Sequence, residues 1–256
     1  MDVAKLLRKE RDSHVSAGLY HWTQIEFSYN SNHIEGSTIT ENQTAQIFHT
    51  DSFIADSNQK IREDDFKETK NHFKLLDYIL DTVDHPLNLR YIKKLQGILK
   101  KGTSDEVNPG KAVGDFKIRN NVIGHLLGNT PTSEVGDVAN DLQALVDRWE
   151  KSNNRSLEDY AKFHYEFETI HPFSDGNGRI GRILLFKERC RVKQMPFIIR
   201  DENKAYYYRG LSQFNSDPAY SVDTLGQALD EYTMAFNQVY GHDLHKDQKK
   251  KKHHER

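Results

Sequence analysis

Twelve residues, His171-Pro172-Phe173-Ser174-Asp175-Gly176-Asn177-Gly178-Arg179-Ile180-Gly181-Arg182, bring a histidine, a carboxylate, three glycines and two arginines into one short stretch. Gly176, Asn177 and Gly178 can take backbone conformations closed to most residues, so that successive N–H groups converge on an anion. A helix starting here adds unpaired N–H groups and the positive end of its dipole. Arg179 and Arg182 are three apart and share a face of its first turn. Two arginines at a helix N-terminus are unfavourable unless an anion sits between them, and a phosphate is the expected anion. Asp175 is close enough to bring a hard cation, Mg²⁺, to those phosphates. His171 can act as a general base near neutral pH. A plain helix–loop–helix corner would account for any one of these residues, but not for the set.

The elements around this stretch read as helices. Phe66, Phe73, Leu76 and Leu80 recur at helical spacing, as do Leu142, Leu145, Val146 and Trp149, and again Tyr160, Phe163, Phe167 and Ile170. Ser156 with Asp159 three residues on predicts the start of the third run, and Pro172 its end. The next helix is predicted to begin inside the glycine-rich turn, to run through Cys190 and to be bounded by Pro196. Between Gly102 and Pro131 the helical period disappears. Asn108-Pro109-Gly110 is turn chemistry, and Asp115 to Arg119 alternates as a short strand would. Asn120-Asn121 would turn that strand back into Val122-Ile123, a small hairpin that must lie on the helical body to be stable. The fold class is therefore all-α, with a small β-hairpin. Polar residues from Thr50 to Gln59 divide an N-terminal helical region, 1–59, from a core over 60–240. Residues 241–256, with the run Lys249 to Lys252, read as a basic, disordered tail.

Bulk properties narrow the function classes. At 256 residues the chain is long enough for a substantial core. Lys and Arg number 36 against 38 Asp and Glu, so overall charge predicts no nucleic-acid partner. The lone Cys190 excludes an internal disulfide framework and is expected to be inert and buried. The N-terminal residues lack the apolar run of a signal peptide, and no stretch approaches the ~20 apolar residues of a membrane span. The expectation is a soluble, cytoplasmic protein with no membrane partner.

The segment 171–182 is similar to the signature of the Fic family, His-Pro-Phe-x-Asp/Glu-Gly-Asn-Gly-Arg-x-x-Arg, and every specified position matches. A weaker resemblance extends over roughly residues 60–240. It implies a helical bundle with a β-hairpin flap over the active site. It also implies transfer of AMP from ATP to a Ser, Thr or Tyr hydroxyl of a target protein. By this resemblance His171 deprotonates the hydroxyl and Asp175 holds Mg²⁺. The backbone of Gly176, Asn177 and Gly178 cradles the phosphates, with Arg179 and Arg182 on the β- and γ-phosphates. Tyr207, Tyr208 and Asn215 fall where the family shapes its adenine pocket. Lys117, Ile118, Val122 and Ile123 fall in the flap, which aligns the target by strand addition. Gly178 separates the chain from the kinase-like Doc branch, which carries Lys there and binds the nucleotide reversed. Homodimers and self-modification are further implications of the family.

Ser31-Asn32-His33-Ile34-Glu35-Gly36 is similar to the inhibitory motif of the same family, Ser/Thr-x-x-x-Glu-Gly/Asn, in its N-terminal position. A carboxylate at Glu35 reaching Arg182 would compete with the γ-phosphate for one guanidinium. Other readings remain beside this one. A related Fic reaction would remove AMP, or transfer UMP, phosphocholine or phosphate. A non-catalytic member would bind nucleotide without turnover. A metal hydrolase would use His164, Glu168 and His171, spaced four and three along one helix face.

Overall fold

The computed structural model describes residues 2–55, 57–125 and 128–254; for 122–125, 128–130 and 242–254 it describes the backbone alone. The helices are α1 (Val3–Asp12), α2 (Leu19–Ile34), α3 (Glu41–Thr50), α4 (Glu63–Asp81) and α5 (Leu89–Leu99). After a two-stranded hairpin come α6 (Val138–Lys151), α7 (Leu157–Ile170), α8 (Asn177–Arg191), α9 (Lys204–Gln213) and α10 (Ala219–His254).

Helix α8 is the axle. Ile180, Ile183, Leu184, Leu185 and Phe186 are all fully buried, and α1, α2, α4, α5 and α7 pack around it. Its charged residues Arg179, Arg182, Lys187, Glu188 and Arg189 are buried as well, so the helix is covered on every side. Helix α7 starts as the sequence predicts: Ser156 and Asp159 form a complete capping box. Its buried face, Tyr160, Phe163 and Phe167, lies in the same core as α8. Each large apolar side chain so buried stabilises the fold by about 1.5–3 kcal/mol. Val3, Leu7, Leu19, Phe27 and Ile34 of α1 and α2 belong to that core as well. Packing therefore runs unbroken across the polar stretch at 50–59.

Strands β1 (Val122–His125) and β2 (Gly128–Pro131) pair antiparallel, with Val122 opposite Pro131 and His125 opposite Gly128. This corrects the sequence expectation, which put the first strand at 115–119 and Val122-Ile123 in the second. Among the described residues the 115–119 segment has no partner strand, and its backbone is bonded elsewhere. The N–H of Phe116 donates to the Asp115 side chain, and that of Lys117 donates to the Pro172 carbonyl at 2.9 Å. Alternation of side chains there reflects docking on the 171–176 loop. Helix α10 includes 241–254, a stretch that the sequence reads as part of a basic tail.

Candidate active site

The loop between α7 and α8 carries the motif. His171 caps the C-terminus of α7 in the left-handed region, φ 50° and ψ 61°. For a non-glycine residue that conformation costs about 1–3 kcal/mol and recurs at functional sites. Nδ1 of His171 lies 3.3 Å from the carbonyl oxygen of Glu168. A carbonyl can only accept, so Nδ1 carries a hydrogen, and Nε2 is the nitrogen that accepts a proton in the neutral ring. The loop is closed by Asn177, whose Oδ1 accepts from the Phe173 N–H at 2.9 Å while its Nδ2 donates to the Phe173 carbonyl at 2.8 Å. The Asn177 side chain is thus a clamp, and only its backbone faces the start of α8. Gly176 precedes that start at φ 88°, a conformation that favours glycine, and offers no side chain to cap the helix.

Asp175 is one turn back, its side chain 40% exposed. Lys100 Nζ bonds its Oδ2 at 2.5 Å, the Gly176 N–H donates to Oδ1 at 2.7 Å, and Arg179 Nη2 lies 3.5 Å from Oδ1. Burial alone would raise this carboxyl, but Arg179 and Lys100 outweigh it and hold Asp175 well below the usual carboxylate range. Lys100 is itself buried between Asp175, Glu68 and Asp105. Arg179, also buried, pairs with Glu68 and reaches Asn32 Oδ1 at 3.3 Å. The donor set can be tested against Mg²⁺. Among the described residues no group of three or more His, Cys, Asp or Glu could hold a metal. One ionised, half-exposed carboxylate fits a Mg²⁺ whose remaining ligands are water and substrate phosphates, the usual mode of that ion.

Arg182 is the focus of the second motif. Its Nη2 lies 2.8 Å from Glu35 Oε1 and 2.8 Å from the Ser31 carbonyl, and its Nε donates to Ser31 Oγ at 3.1 Å. Glu35 is delivered by the way α2 ends. Gly36 at φ 90° lets its own N–H reach His33 and the Ser37 N–H reach Asn32, a Schellman closure that leaves Glu35 at the C-cap. Its carboxylate then lies directly on Gly178: a Cβ there would overlap Glu35 and come within 2.9 Å of Arg182 Nη1. Burial works against the charge on Glu35, yet Arg182 and then Arg179 outweigh it and keep the carboxyl ionised. The two arginines at the N-terminus of α8 thus have their anions, in Glu35, Glu68 and Asp175.

Of the remaining predicted residues, Tyr207 is buried with its hydroxyl 3.3 Å from Arg182 Nη1 and 2.8 Å from His164 Nε2. Tyr208 packs beside Tyr207 and donates to the Ile34 carbonyl at 3.3 Å. Asn215 sits at the surface, bonded to the Tyr165 hydroxyl at 2.7 Å. Lys117 is not an exposed docking residue. It is buried, with Nζ bonded to Asn121 Oδ1 at 2.8 Å and Thr132 Oγ1 at 2.7 Å, at the base of the hairpin. Asn121 in turn donates to the Phe173 carbonyl at 3.3 Å, which ties that base to the motif loop. Ile118 is about half exposed, and the side chains of Val122 and Ile123 lie outside the described residues. Lys100, Glu68 and Asn32 were not foreseen from the sequence, because isolated polar residues in helices carry no spacing signal.

Among the described residues His164, Glu168 and His171 do not form a metal-holding group.

Residues 86–187 match the family model described as Fic/DOC family. The chain is 29% identical over 222 residues to a protein from Drosophila persimilis named Protein adenylyltransferase Fic, covering 81% of this chain and 40% of that one. It is 28% identical to the protein of the same name from Drosophila grimshawi, covering 42% of that one. The chain thus spans about two fifths of the length of the curated relatives it matches. In structure it is similar to a Fic domain containing signaling protein from Bacteroides thetaiotaomicron, with TM-score 0.76 and 25% identity over 93% of this chain and 97% of that one. Fic-1 from C. elegans shares the fold, with TM-score 0.68 and 22% identity over 92% and 72% of the two chains. The chain is thus similar to the Fic/DOC family over residues 86–187, the stretch that includes the complete 171–182 signature.

Proposed function

We propose that the chain is a protein adenylyltransferase that moves AMP from ATP to a hydroxyl of a target protein and is held back by Glu35. The observation that carries this reading is where the Glu35 carboxylate sits. It stands on Gly178 and Arg182 at the head of α8, an internal anion marking an anion site next to the loop that carries His171, whose Nδ1 is bonded to the backbone. The names of the Drosophila relatives support the same activity.

Nε2 of His171 would take the proton of the target hydroxyl as its oxygen attacks the α-phosphorus. A new P–O bond joins AMP to the target, and pyrophosphate leaves. Asp175 would hold Mg²⁺, which supplies charge neutralisation at the phosphates. The backbone of Gly176, Asn177 and Gly178 would hold the phosphates, with Arg182 on the terminal one and Arg179, through Asp175, at the metal side. The adenine would lie toward Tyr208 and Asn215, with Tyr207 behind them. A free edge of the hairpin would align the target segment by strand addition. The chain's own hydroxyls and a second copy of the chain are further candidate targets and partners.

The test is incubation with α-labelled and with γ-labelled ATP plus Mg²⁺. Protein-bound label from the α position alone is the expected result. Label from γ alone would mean phosphorylation and overturn the assignment.

A further inference from the structure

Behind Arg182 lies a second acid that the proposed reaction does not use. Glu168 is 9% exposed, and its Oε1 is buried with no hydrogen-bond partner among the described residues. His164 Nδ1, equally buried, has none either. Both atoms press on Gly181, where a Cβ would lie 2.7 Å from Glu168 Oε1 and 2.8 Å from His164 Nδ1. Gly178, under Glu35 and Arg182, is three residues back on the same face of α8. Two carboxylates therefore flank one guanidinium along one face of α8, and each lies where a glycine leaves room.

The groups facing Glu168 include His164 from its own helix, Arg182 from α8, Tyr207 and Tyr208 from α9 and Glu35 from the end of α2. His164 Nε2 is 4.0 Å from Glu168 Oε1 and 2.8 Å from the Tyr207 hydroxyl, which is 3.3 Å from Arg182 Nη1. Burial and then the charge of Arg182 push His164 down to about 3, so the imidazole is neutral. A neutral imidazole contributes no charge that could balance either acid.

We propose that Glu168 is the second counter-ion of Arg182, neutral while Glu35 holds the guanidinium and ionised when Glu35 leaves it. On that change the Glu168 carboxyl gives its proton to bulk water and remains as carboxylate in the field of Arg182. Arg182 is 2% exposed, and a buried guanidinium without an anion is strongly unfavourable, so removal of Glu35 creates the demand that Glu168 meets. Burial and then the charge on Glu35 push Glu168 up to about 8, against the opposing pull of Arg182, which accounts for its neutrality while Glu35 is in place. The AMP-transfer reading enters only as the reason for Glu35 to leave.

The test is the melting temperature at pH 7 of the wild type, Glu35→Gln, Glu168→Gln and the double variant. In the wild type, Glu168→Gln should leave Tm unchanged or raise it, because it replaces a neutral acid. In Glu35→Gln it should lower Tm by about 4 °C. If Glu35→Gln does not fold, Glu35→Ala serves as the same background. Infrared spectra give a second readout: the stretch of a protonated carboxyl should be present in the wild type and absent from both single variants. Equal Tm changes in the two backgrounds, or a band that persists in Glu35→Gln, would overturn the proposal. Neither readout involves label transfer, so a chain that moves no AMP yet shows the coupling refutes the function above and supports this inference.

Discussion

Oε1 of Glu35 and Nη2 of Arg182 are 2.8 Å apart although 147 residues of chain separate them. Helix α2 has to end at Gly36 for this to happen, and α8 has to begin with a residue lacking a side chain at 178. The pair therefore records a packing decision between the N-terminal helices and the core. An ATP phosphate seeking the same guanidinium must displace an anion that is already in place and part-exposed to solvent.

Glu35→Gly is accordingly expected to raise AMP transfer. A hydrogen bond to a charged group is worth about 1.5–3 kcal/mol, which corresponds to roughly 10–100-fold in rate or ATP affinity. Incorporation of α-label into the chain itself and into added proteins measures this. Equal rates in the two proteins would remove Glu35 from any inhibitory role.

His171→Ala is expected to lower transfer by about 10²–10⁴-fold, the usual contribution of a general base. Binding of ATP, followed by calorimetry, should be unchanged, since His171 turns to Glu168 and not to the phosphate cradle. A comparable loss of ATP affinity would show that the ring holds nucleotide and does not move a proton.

Much of this site was legible because short-range chemistry fixes it. The capping box at Ser156 and Asp159, the stop at Pro172 and the left-handed glycines at 36 and 176 each act within a few residues. What was not legible depends on partners far apart in the chain. Lys100 and Glu68 meet Asp175 and Arg179 only because α4, α5 and α8 pack together, and no local pattern marks them. The strand expected at 115–119 failed for the same reason. The Lys117 N–H found the Pro172 carbonyl, 55 residues away, which is a tertiary override of local alternation.

Glu168 makes stability depend on pH. Its carboxyl is raised from 4.5 to about 8 in the fold, by burial first and by Glu35 second. Between those values the unfolded chain has released the proton that the native state still holds, so raising pH favours unfolding. Its contribution is therefore present below about 4.5 and is lost as pH rises to about 8. Glu168→Gln removes this term, and its Tm relative to wild type should climb across that window. A constant difference from pH 5 to pH 8 would mean that Glu168 titrates normally.

Gly181→Ala should be costly although alanine is the better helix former. The added Cβ would meet Glu168 Oε1 and His164 Cε1 at 2.7 Å each. Such overpacking costs about 1–3 kcal/mol, a fall of roughly 3–9 °C in Tm for a chain of this length. An unchanged Tm would show that the α7–α8 contact is looser than its geometry.

Lys117→Met separates the hairpin from the chemistry. Nζ of Lys117 ties Asn121 to Thr132 across the hairpin base, and Lys117 N–H bonds Pro172. Burial pushes this amine down to about 8, so its hold on the base rests on hydrogen bonds as much as on charge. Methionine keeps the length and the apolar stem, and the backbone bond to Pro172 survives. Loss of the side-chain bonds should loosen residues 121–132 and leave the α8 cradle as it is. The expected result is faster amide exchange in β1 and β2, with a rise of roughly 10-fold in KM for the protein target, equivalent to about 1.4 kcal/mol. The KM for ATP should stay the same. If both KM values rise together, the hairpin base supports the nucleotide site as well and cannot be assigned to target alignment alone.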